Sequence, residues 1–248
     1  MEDVKLDVRA ALTDGPGTPP VPQPRAPLLV LARSWSPSAA ERSRLEATLS
    51  ADERARHARF RFERDRTTFL IARALLRHLL GAALARAPDT LSFAYDDYGK
   101  PTSTDPEAPY FNVAHCDGLV AVALSHDARI GVDVELTLPE RAALEAARAH
   151  FAPCEIRTLD TAPAAQRHDV FFRLWTLKEA YVKARGQGLS IPLDSFMFAL
   201  ESSPPGFRCT GDDATTWRFH EGKVDDRWRW AVAHAVRGAA MDRLRVVA

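Results

Sequence analysis

The amino-acid sequence predicts an α+β fold with mostly antiparallel strands. Apolar residues recur at helical spacing in residues 63–85 and again from residue 171 onward. The runs YFNVAH (110–115) and LVAVAL (119–124) are instead typical of strands, and the tight turn Cys116-Asp117-Gly118 separates them. Because a short turn joins antiparallel strands, and strands and helices occur in mixed order, we expect an α+β fold.

The amino-terminal part of the chain divides into a leader and a first folded segment. Residues 14–27 contain six prolines and two glycines and few residues to bury, so we expect residues 1–27 to form a flexible, proline-rich leader. The run LLVLAR (28–33) predicts the first buried strand. Ser38 has the residue type and position of a helix N-cap.

A long helix is predicted over residues 63–85, with one apolar face and with Gly81 as a weak point near its end. At roughly 100° per residue, Arg66, Arg73 and Arg77 fall within about 40° of one another and form a basic stripe. The more ordinary interpretation of this stripe is a solvated face whose arginine stems lie over the core.

The remaining elements follow from the same signals. Turn residues occupy positions 96–101, and Gly186 is expected to stop the central helix that begins near residue 171. Strands are predicted over residues 91–95, 130–135, 195–200, 216–220 and 227–233, and two shorter helices over residues 139–151 and 153–159.

Composition excludes several classes of protein. The 248 residues include 33 basic and 33 acidic side chains, so no global charge favours nucleic acid or a membrane surface. The three cysteines are odd in number and lack metal-ligand spacing, which favours a reduced, cytoplasmic setting. The sequence shows neither a signal-peptide pattern nor a run of about 18 apolar residues, so we expect no export and no membrane span.

Three acidic residues and one lysine form a candidate metal and catalytic set. Strand alternation sends Asp133 and Glu135 of IGVDVE (130–135) to one face, and Glu179 and Lys183 lie one turn apart on the central helix. Three such carboxylates could offer the hard oxygen ligands that Mg²⁺ takes when it also holds substrate phosphates. Taken separately, the strand pair is more often a solvent face, and the helix pair a surface ion pair.

Longer motifs carry a resemblance to a known family. The segments IGVDVE and FFRLWTLKEAYVKARGQGLSIPLDSF are similar to the signature of the 4'-phosphopantetheinyl transferases. YFNVAHCDG, YGKP and LSADERARHARFRFERDRTTFLIARALLR support the match. The sequence resembles in particular the two-halved Sfp type, which activates nonribosomal peptide and polyketide synthases. The resemblance covers most of the chain from residue 28 onward and leaves the leader and the carboxyl end unmatched.

The resemblance implies a fold and an activity. The fold would consist of two similar α/β halves, residues 28–125 and 126–248, packed as a pseudo-dimer with a ligand cleft between them. The enzyme would move the 4'-phosphopantetheine arm of coenzyme A onto a serine of an apo acyl or peptidyl carrier protein and release 3',5'-ADP. Members of this type generally act as monomers. The pathway served, such as antibiotic biosynthesis, is left open.

The resemblance also assigns roles to individual residues. Asp133, Glu135 and Glu179 match the family's metal positions, for Mg²⁺ or Mn²⁺. Lys183 matches the lysine on the pyrophosphate or leaving group, where it would act as a point charge. Glu179, directly or through water, is the candidate base for the serine proton. Glu155 corresponds to a further family glutamate that would assist the metal-bound water or the base.

The coenzyme A contacts are also implied by the resemblance. Arg56, Arg73 and His115 match residues that contact the 3'-phosphate, where arginine can bind two oxygens at once. Lys100 and Pro101 of YGKP would border the adenine, mainly through their backbone. The chain departs from the family at three positions. The departures are Glu53 where some members have lysine, Thr68 where some have arginine, and Ala114 in place of a serine. Because of the first two, the exact 3'-phosphate donors could have shifted to Arg54, Arg66 or Arg77, and the third removes a hydroxyl donor near the pyrophosphate.

Two other functions remain possible at this point. A non-catalytic protein of the same fold could bind coenzyme A and carrier proteins without transfer, and loss of a metal carboxylate or of Lys183 would favour it, but none is lost. A different Mg²⁺-dependent phosphotransferase would need another phosphate-binding device, because the sequence has no GxxxxGK[ST] loop and no kinase signature.

Overall fold

The computed structural model describes residues 3–4, 7–13, 26–97, 99–236 and 244–248. The chain forms two compact units, one of Met1–Asp127 with Met241–Ala248 and one of Ala128–Ala240. Each unit packs one long helix against antiparallel strands. The predicted α+β fold is therefore confirmed.

The first unit is built on a five-stranded sheet. Its elements are β1 (Asp3–Val4), α1 (Val8–Thr13), β2 (Leu28–Arg33), α2 (Ala39–Ala47), α3 (Ala51–Ala58), α4 (Glu63–Leu84), β3 (Phe93–Tyr95), β4 (Pro101–Ser103), β5 (Tyr110–Cys116), β6 (Leu119–Ser125) and β12 (Arg245–Val247). The strand order is β1-β12-β2-β6-β5. β6 runs antiparallel to both β2 and β5, and β12 runs parallel to both β1 and β2. β3 and β4 form a separate antiparallel hairpin.

Helix α4 supplies most of the helical side of this core. Leucine and isoleucine side chains along it are buried against β6 and β5, as its apolar periodicity predicts. Among the described residues, α4 is the one helix long and apolar enough to cross a membrane, but 78% of the relevant stretch is buried inside the protein. α4 is accordingly the core helix of this unit.

The short helices α2 and α3 begin with the same device. Ser38 and Ser50 accept hydrogen bonds from the backbone N–H groups of Glu41 and Glu53, and each glutamate accepts one in return from the backbone of its serine. Such a capping box satisfies N–H groups that the first turn of a helix leaves unpaired. The predicted N-cap at Ser38 is thus present, whereas the helix after Ser50 was not predicted.

The ends of the chain differ from the predicted division. Residues 14–25 of the predicted leader lie outside the described residues, but β1 and α1 belong to the folded unit, and Val8 and Leu12 are buried. A flexible leader over all of residues 1–27 is therefore wrong. The assignment of the carboxyl end to the second half is also wrong, because β12 pairs with β2 in the first sheet.

The second unit packs one helix across a three-stranded antiparallel sheet. Its elements are β7 (Ile130–Leu136), α5 (Leu144–His150), α6 (Pro153–Thr161), α7 (Arg167–Arg185), β8 (Phe196–Ala199), β9 (Gly206–Cys209), β10 (Trp217–Val224) and β11 (Trp228–Ala235). The sheet order is β10-β11-β7, and β8 pairs with β9 in a hairpin. α7 lies against β7 and β11. The predicted single helix over residues 139–151 is wrong, since Pro139–Arg141 forms a 3₁₀ turn and α5 begins only at Leu144.

A glycine lets α7 approach the sheet closely. A Cβ atom at Gly131 of β7 would overlap the backbone oxygen of Ala180 and the backbone nitrogen of Ala184 in α7. Glycine in a strand often marks such a close approach of another backbone. α7 ends at Gly186, whose φ of 71° is in the left-handed region that favours glycine, as predicted.

Candidate active site

The predicted catalytic set lies where β7 faces α7. Asp133 and Glu135 occupy alternate positions on β7, and Glu179 and Lys183 lie one turn apart on α7. The Lys183 ammonium donates a hydrogen bond to Asp133 Oδ1 over 2.6 Å. The Trp175 indole N–H donates to Glu135 Oε1 over 3.1 Å. Side-chain hydrogen bonds from Trp175 and Lys183 thus join the helix to the strand.

Burial shifts the protonation equilibria of this group. It raises the pKa of Asp133, although Lys183 acts in the opposite direction. Burial and the neighbouring Asp133 raise the pKa of Glu135 to about 7. Burial and Asp133 also raise the pKa of Glu179. Burial disfavours the charged form of Lys183, but the attraction of Asp133, Glu179 and Glu135 outweighs it and raises the lysine pKa. The site therefore concentrates negative charge in a poorly solvated place.

One oxygen of the group has no partner. Asp133 Oδ2 is buried and makes no hydrogen bond with any described residue. A buried carboxylate oxygen without a donor is costly, and a bound cation would satisfy it. The three carboxylates supply the oxygen ligands that Mg²⁺ prefers, so the residues fit such an ion. No set of three acidic, histidine or cysteine side chains in the described ranges is already arranged to hold a metal. The assignment of metal ligands stays a prediction.

Glu155 lies elsewhere and has a structural setting. Its side chain and that of Lys178 are both 0% exposed, and Lys178 Nζ lies 2.7 Å from Glu155 Oε2. Glu155 also accepts hydrogen bonds from the backbone N–H groups of Ala152 and Phe198. These contacts give Glu155 a structural role, in which it connects α6, α7 and β8. Its predicted assistance to the metal-bound water or the base stays a prediction.

Lys178 was not predicted as a functional or structural partner. Its ammonium also donates to the backbone oxygens of Leu193 and Phe196, at 2.7 and 2.9 Å. Lys178 and Glu179 are neighbours in sequence, but successive residues of a helix point about 100° apart. This periodicity indicates different directions for the two side chains, but it does not identify Glu155 as the partner.

A second cluster, in the first unit, contains the predicted phosphate-binding arginines. Arg73 Nε and Arg77 Nε donate to the two carboxylate oxygens of the buried Glu53, at 2.7 and 2.6 Å. Arg77 is 0% exposed and also binds the backbone oxygens of Pro88 and Leu91. The basic stripe is thus neither a solvated face nor wholly available to a ligand. Arg77 is excluded as a replacement phosphate donor, because its guanidinium is enclosed.

The other residues assigned to coenzyme A are also in the first unit. Arg56 is exposed, and its guanidinium lies 5.4 Å from the centre of the Phe69 ring. His115 is exposed near the end of β5, and Pro101 opens β4 directly after Lys100. These positions leave the predicted contacts with coenzyme A as predictions.

Comparison with known proteins places both units in one family. A family model described as 4'-phosphopantetheinyl transferase, N-terminal, matches residues 33–127. A second, described as the 4'-phosphopantetheinyl transferase superfamily, matches residues 129–233. HetI, a 4'-phosphopantetheinyl transferase of Nostoc sp., is 37% identical over 194 residues, which cover 77% of this chain and 80% of HetI. The chain belongs to the 4'-phosphopantetheinyl transferase superfamily.

Two further relatives of this family agree with the assignment. The 4'-phosphopantetheinyl transferase Sfp of Bacillus subtilis (strain 168) is 31% identical over 160 residues, which cover 64% of this chain and 70% of Sfp. A phosphopantetheinyl transferase of Thraustochytrium sp. is 33% identical over 229 residues, which cover 85% of this chain and 79% of that protein. The predicted resemblance to the Sfp type is confirmed.

Proposed function

We propose that this protein transfers the 4'-phosphopantetheine arm of coenzyme A to a serine hydroxyl of an apo carrier-protein domain and releases 3',5'-ADP. The observation that carries this proposal is the group of Asp133, Glu135, Glu179 and Lys183 in a member of this family. In the reaction, a bond forms between the serine oxygen and the phosphorus of the phosphopantetheine arm. The bond from that phosphorus to the oxygen of the 3',5'-ADP leaving group breaks.

The chain's own residues have distinct tasks in this proposal. Glu179 accepts the serine proton, directly or through water. Lys183 remains charged beside Asp133 and attracts the negative oxygens of the pyrophosphate. Asp133 holds the Lys183 ammonium in place over 2.6 Å. Trp175 orients Glu135 through its indole N–H.

A divalent cation is part of the same proposal. Asp133, Glu135 and Glu179 would hold Mg²⁺, or Mn²⁺ in its place, and the unpartnered Asp133 Oδ2 supports this set. When bound, the ion would offset charge on the phosphate oxygens. It would also lower the repulsion among the three carboxylates and reduce their pKa values.

The first unit would bind the nucleotide end of coenzyme A. Arg73 and Arg56, with His115, are proposed to contact the 3'-phosphate, and Lys100 and Pro101 to border the adenine. Arg73 supports this role because Glu53 fixes one edge of its guanidinium. We further propose a monomer in a reduced, cytoplasmic setting; the three free cysteines agree with the reduced setting.

Intact mass of the acceptor tests this function. An apo peptidyl or acyl carrier domain is incubated with coenzyme A, Mg²⁺ and the protein, with and without a chelator. We expect the carrier to gain the mass of one phosphopantetheine arm only when Mg²⁺ is present. Binding of coenzyme A without transfer to several carriers would contradict the proposal and favour a non-catalytic binding protein. Transfer that persists in the chelator would contradict the metal dependence alone.

A further inference from the structure

We propose that Tyr95 is a further coenzyme A-binding residue and that its hydroxyl, together with Arg73, binds the 3'-phosphate. Tyr95 belongs to the β3–β4 hairpin and is among the few large apolar side chains that are strongly exposed, at 51%. No feature of the sequence pointed to it. The inference deepens the proposed function and rests on it.

The position of Tyr95 links two predicted parts of the nucleotide site. Across the hairpin it is paired with Pro101, which is predicted to border the adenine. On its other side, the Tyr95 hydroxyl lies 3.4 Å from Nη2 of Arg73, which is predicted to contact the 3'-phosphate. Tyr95 therefore lies between the residues assigned to the base and the residue assigned to the phosphate, within one unit of the protein.

Arg73 has donors left for a ligand on this side. Its Nε and Nη2 are directed to Glu53 Oε1, at 2.7 and 2.6 Å, and its guanidinium lies 5.0 Å from the centre of the Phe93 ring. The Arg73 side chain is 9% exposed. Its Nη1 makes no hydrogen bond with a described residue and keeps some solvent-accessible surface. The carboxylate and the ring fix the guanidinium plane, so the remaining N–H groups are aimed before any ligand arrives.

Three positions at which the family pattern would allow a further phosphate donor do not offer a free one here. Glu53 stands where some relatives have a lysine, and it neutralises one of the two arginines that it binds. Thr68 stands where some have an arginine, and it is buried. Arg66 donates to Glu63 and to the backbone oxygen of Phe60. The Tyr95 hydroxyl can accept from Arg73 and still donate its own proton to a phosphate oxygen.

Replacement of Tyr95 by phenylalanine tests the inference, because it removes the hydroxyl and keeps the ring. KM and kcat are measured with coenzyme A and with 3'-dephospho-coenzyme A for the wild type, Tyr95→Phe and Tyr110→Phe. Tyr110 is the matched control, since it is 48% exposed and lies on β5 of the same unit. A hydrogen bond to a charged group predicts that Tyr95→Phe raises KM for coenzyme A about tenfold. Tyr95→Phe should keep the wild-type kcat and the wild-type KM for 3'-dephospho-coenzyme A. Tyr110→Phe should keep the wild-type kcat and KM with both compounds.

Other results would contradict the binding role of Tyr95, its contact with the 3'-phosphate or the proposed function, and the assay distinguishes these three cases. If Tyr95→Phe matches an active wild type with both compounds, Tyr95 is not a binding residue. If KM rises equally for both compounds, Tyr95 does not act on the 3'-phosphate. A wild type that neither binds coenzyme A nor transfers its arm would contradict the proposed function itself. Calorimetry of 3',5'-ADP and 5'-AMP binding to the wild type and to Tyr95→Phe gives a readout that is independent of transfer. We expect Tyr95→Phe to bind 3',5'-ADP more weakly than the wild type and to bind 5'-AMP equally well.

Discussion

The substitution Glu155→Gln separates a structural role of this residue from a catalytic one. It leaves the Lys178 ammonium buried without its counter-charge, and it places an amide N–H₂ where a carboxylate oxygen accepted hydrogen bonds. Removing one partner of a buried ion pair costs about 3–5 kcal/mol. In a chain of this size, each kcal/mol lowers Tm by about 2–4 °C, so the midpoint should fall by about 6–20 °C.

Thermal unfolding followed by circular dichroism measures this shift. Glu145→Gln is the matched control, because Glu145 pairs with Arg148 over the similar distance of 2.6 Å but is 89% exposed. Exposed ion pairs contribute about 0–1 kcal/mol to the free energy of unfolding, so the Tm of Glu145→Gln should stay close to that of the wild type. The double variant that carries both Glu155→Leu and Lys178→Met should be more stable than either single variant, because it removes both buried charges.

Activity completes the comparison. Well below its transition temperature, Glu155→Gln should transfer phosphopantetheine at a rate within a few-fold of the wild type, because Glu155 contacts the core and not the carboxylate group of β7 and α7. A variant that keeps the wild-type midpoint but loses transfer would refute this reasoning. It would support the catalytic role that the resemblance implied for Glu155.

Two further predictions concern packing and pH. Gly131→Ala should destabilise the protein by about 3 kcal/mol or more, because backbone atoms of α7 cannot move aside. Gly206→Ala, whose added Cβ would make only an ordinary contact with Ala199, should have a much smaller effect in the same melting experiment. Burial alone would raise the pKa of Glu53, but Arg73, the Ser50 N–H and Arg77 outweigh it and lower the pKa. The unfolded state then binds the proton more readily, so Glu53 stabilises the fold above about pH 4.5 and loses this effect as the pH falls. The stability difference between wild type and Glu53→Gln should therefore shrink from pH 7 to pH 3.5, and a difference independent of pH would contradict the ion-pair role.

Local patterns predicted the elements that hold the candidate site. Alternation in IGVDVE placed Asp133 and Glu135 on one face of β7, and the i,i+4 spacing placed Glu179 beside Lys183 on α7. These relations depend on a few neighbouring residues and on the regular geometry of a strand or helix. They do not depend on the tertiary structure, so the sequence alone was sufficient to predict which side chains share a face of β7 and of α7.

Relations between distant segments were not predictable in this way. The ion pair of Asp133 with Lys183 joins residues fifty positions apart, and the pairing of β12 with β2 joins the two ends of the first unit. Neither has a local signal. The helix α3 was missed although the spacing of Ser50 and Glu53 is that of a capping box, which is a local signal that could have been used.

The most direct test of the central claim is the initial rate of 3',5'-ADP release with coenzyme A, Mg²⁺ and an apo carrier domain for Glu179→Gln. Glu140→Gln is the control, because Glu140 is an exposed glutamate of the same unit. A general base contributes roughly 10²–10⁴-fold, so Glu179→Gln should lose at least about 100-fold in rate while it melts like the wild type and still binds coenzyme A. Glu140→Gln should match the wild type. A Glu179→Gln variant that transfers at the wild-type rate would contradict the placement of catalysis between β7 and α7.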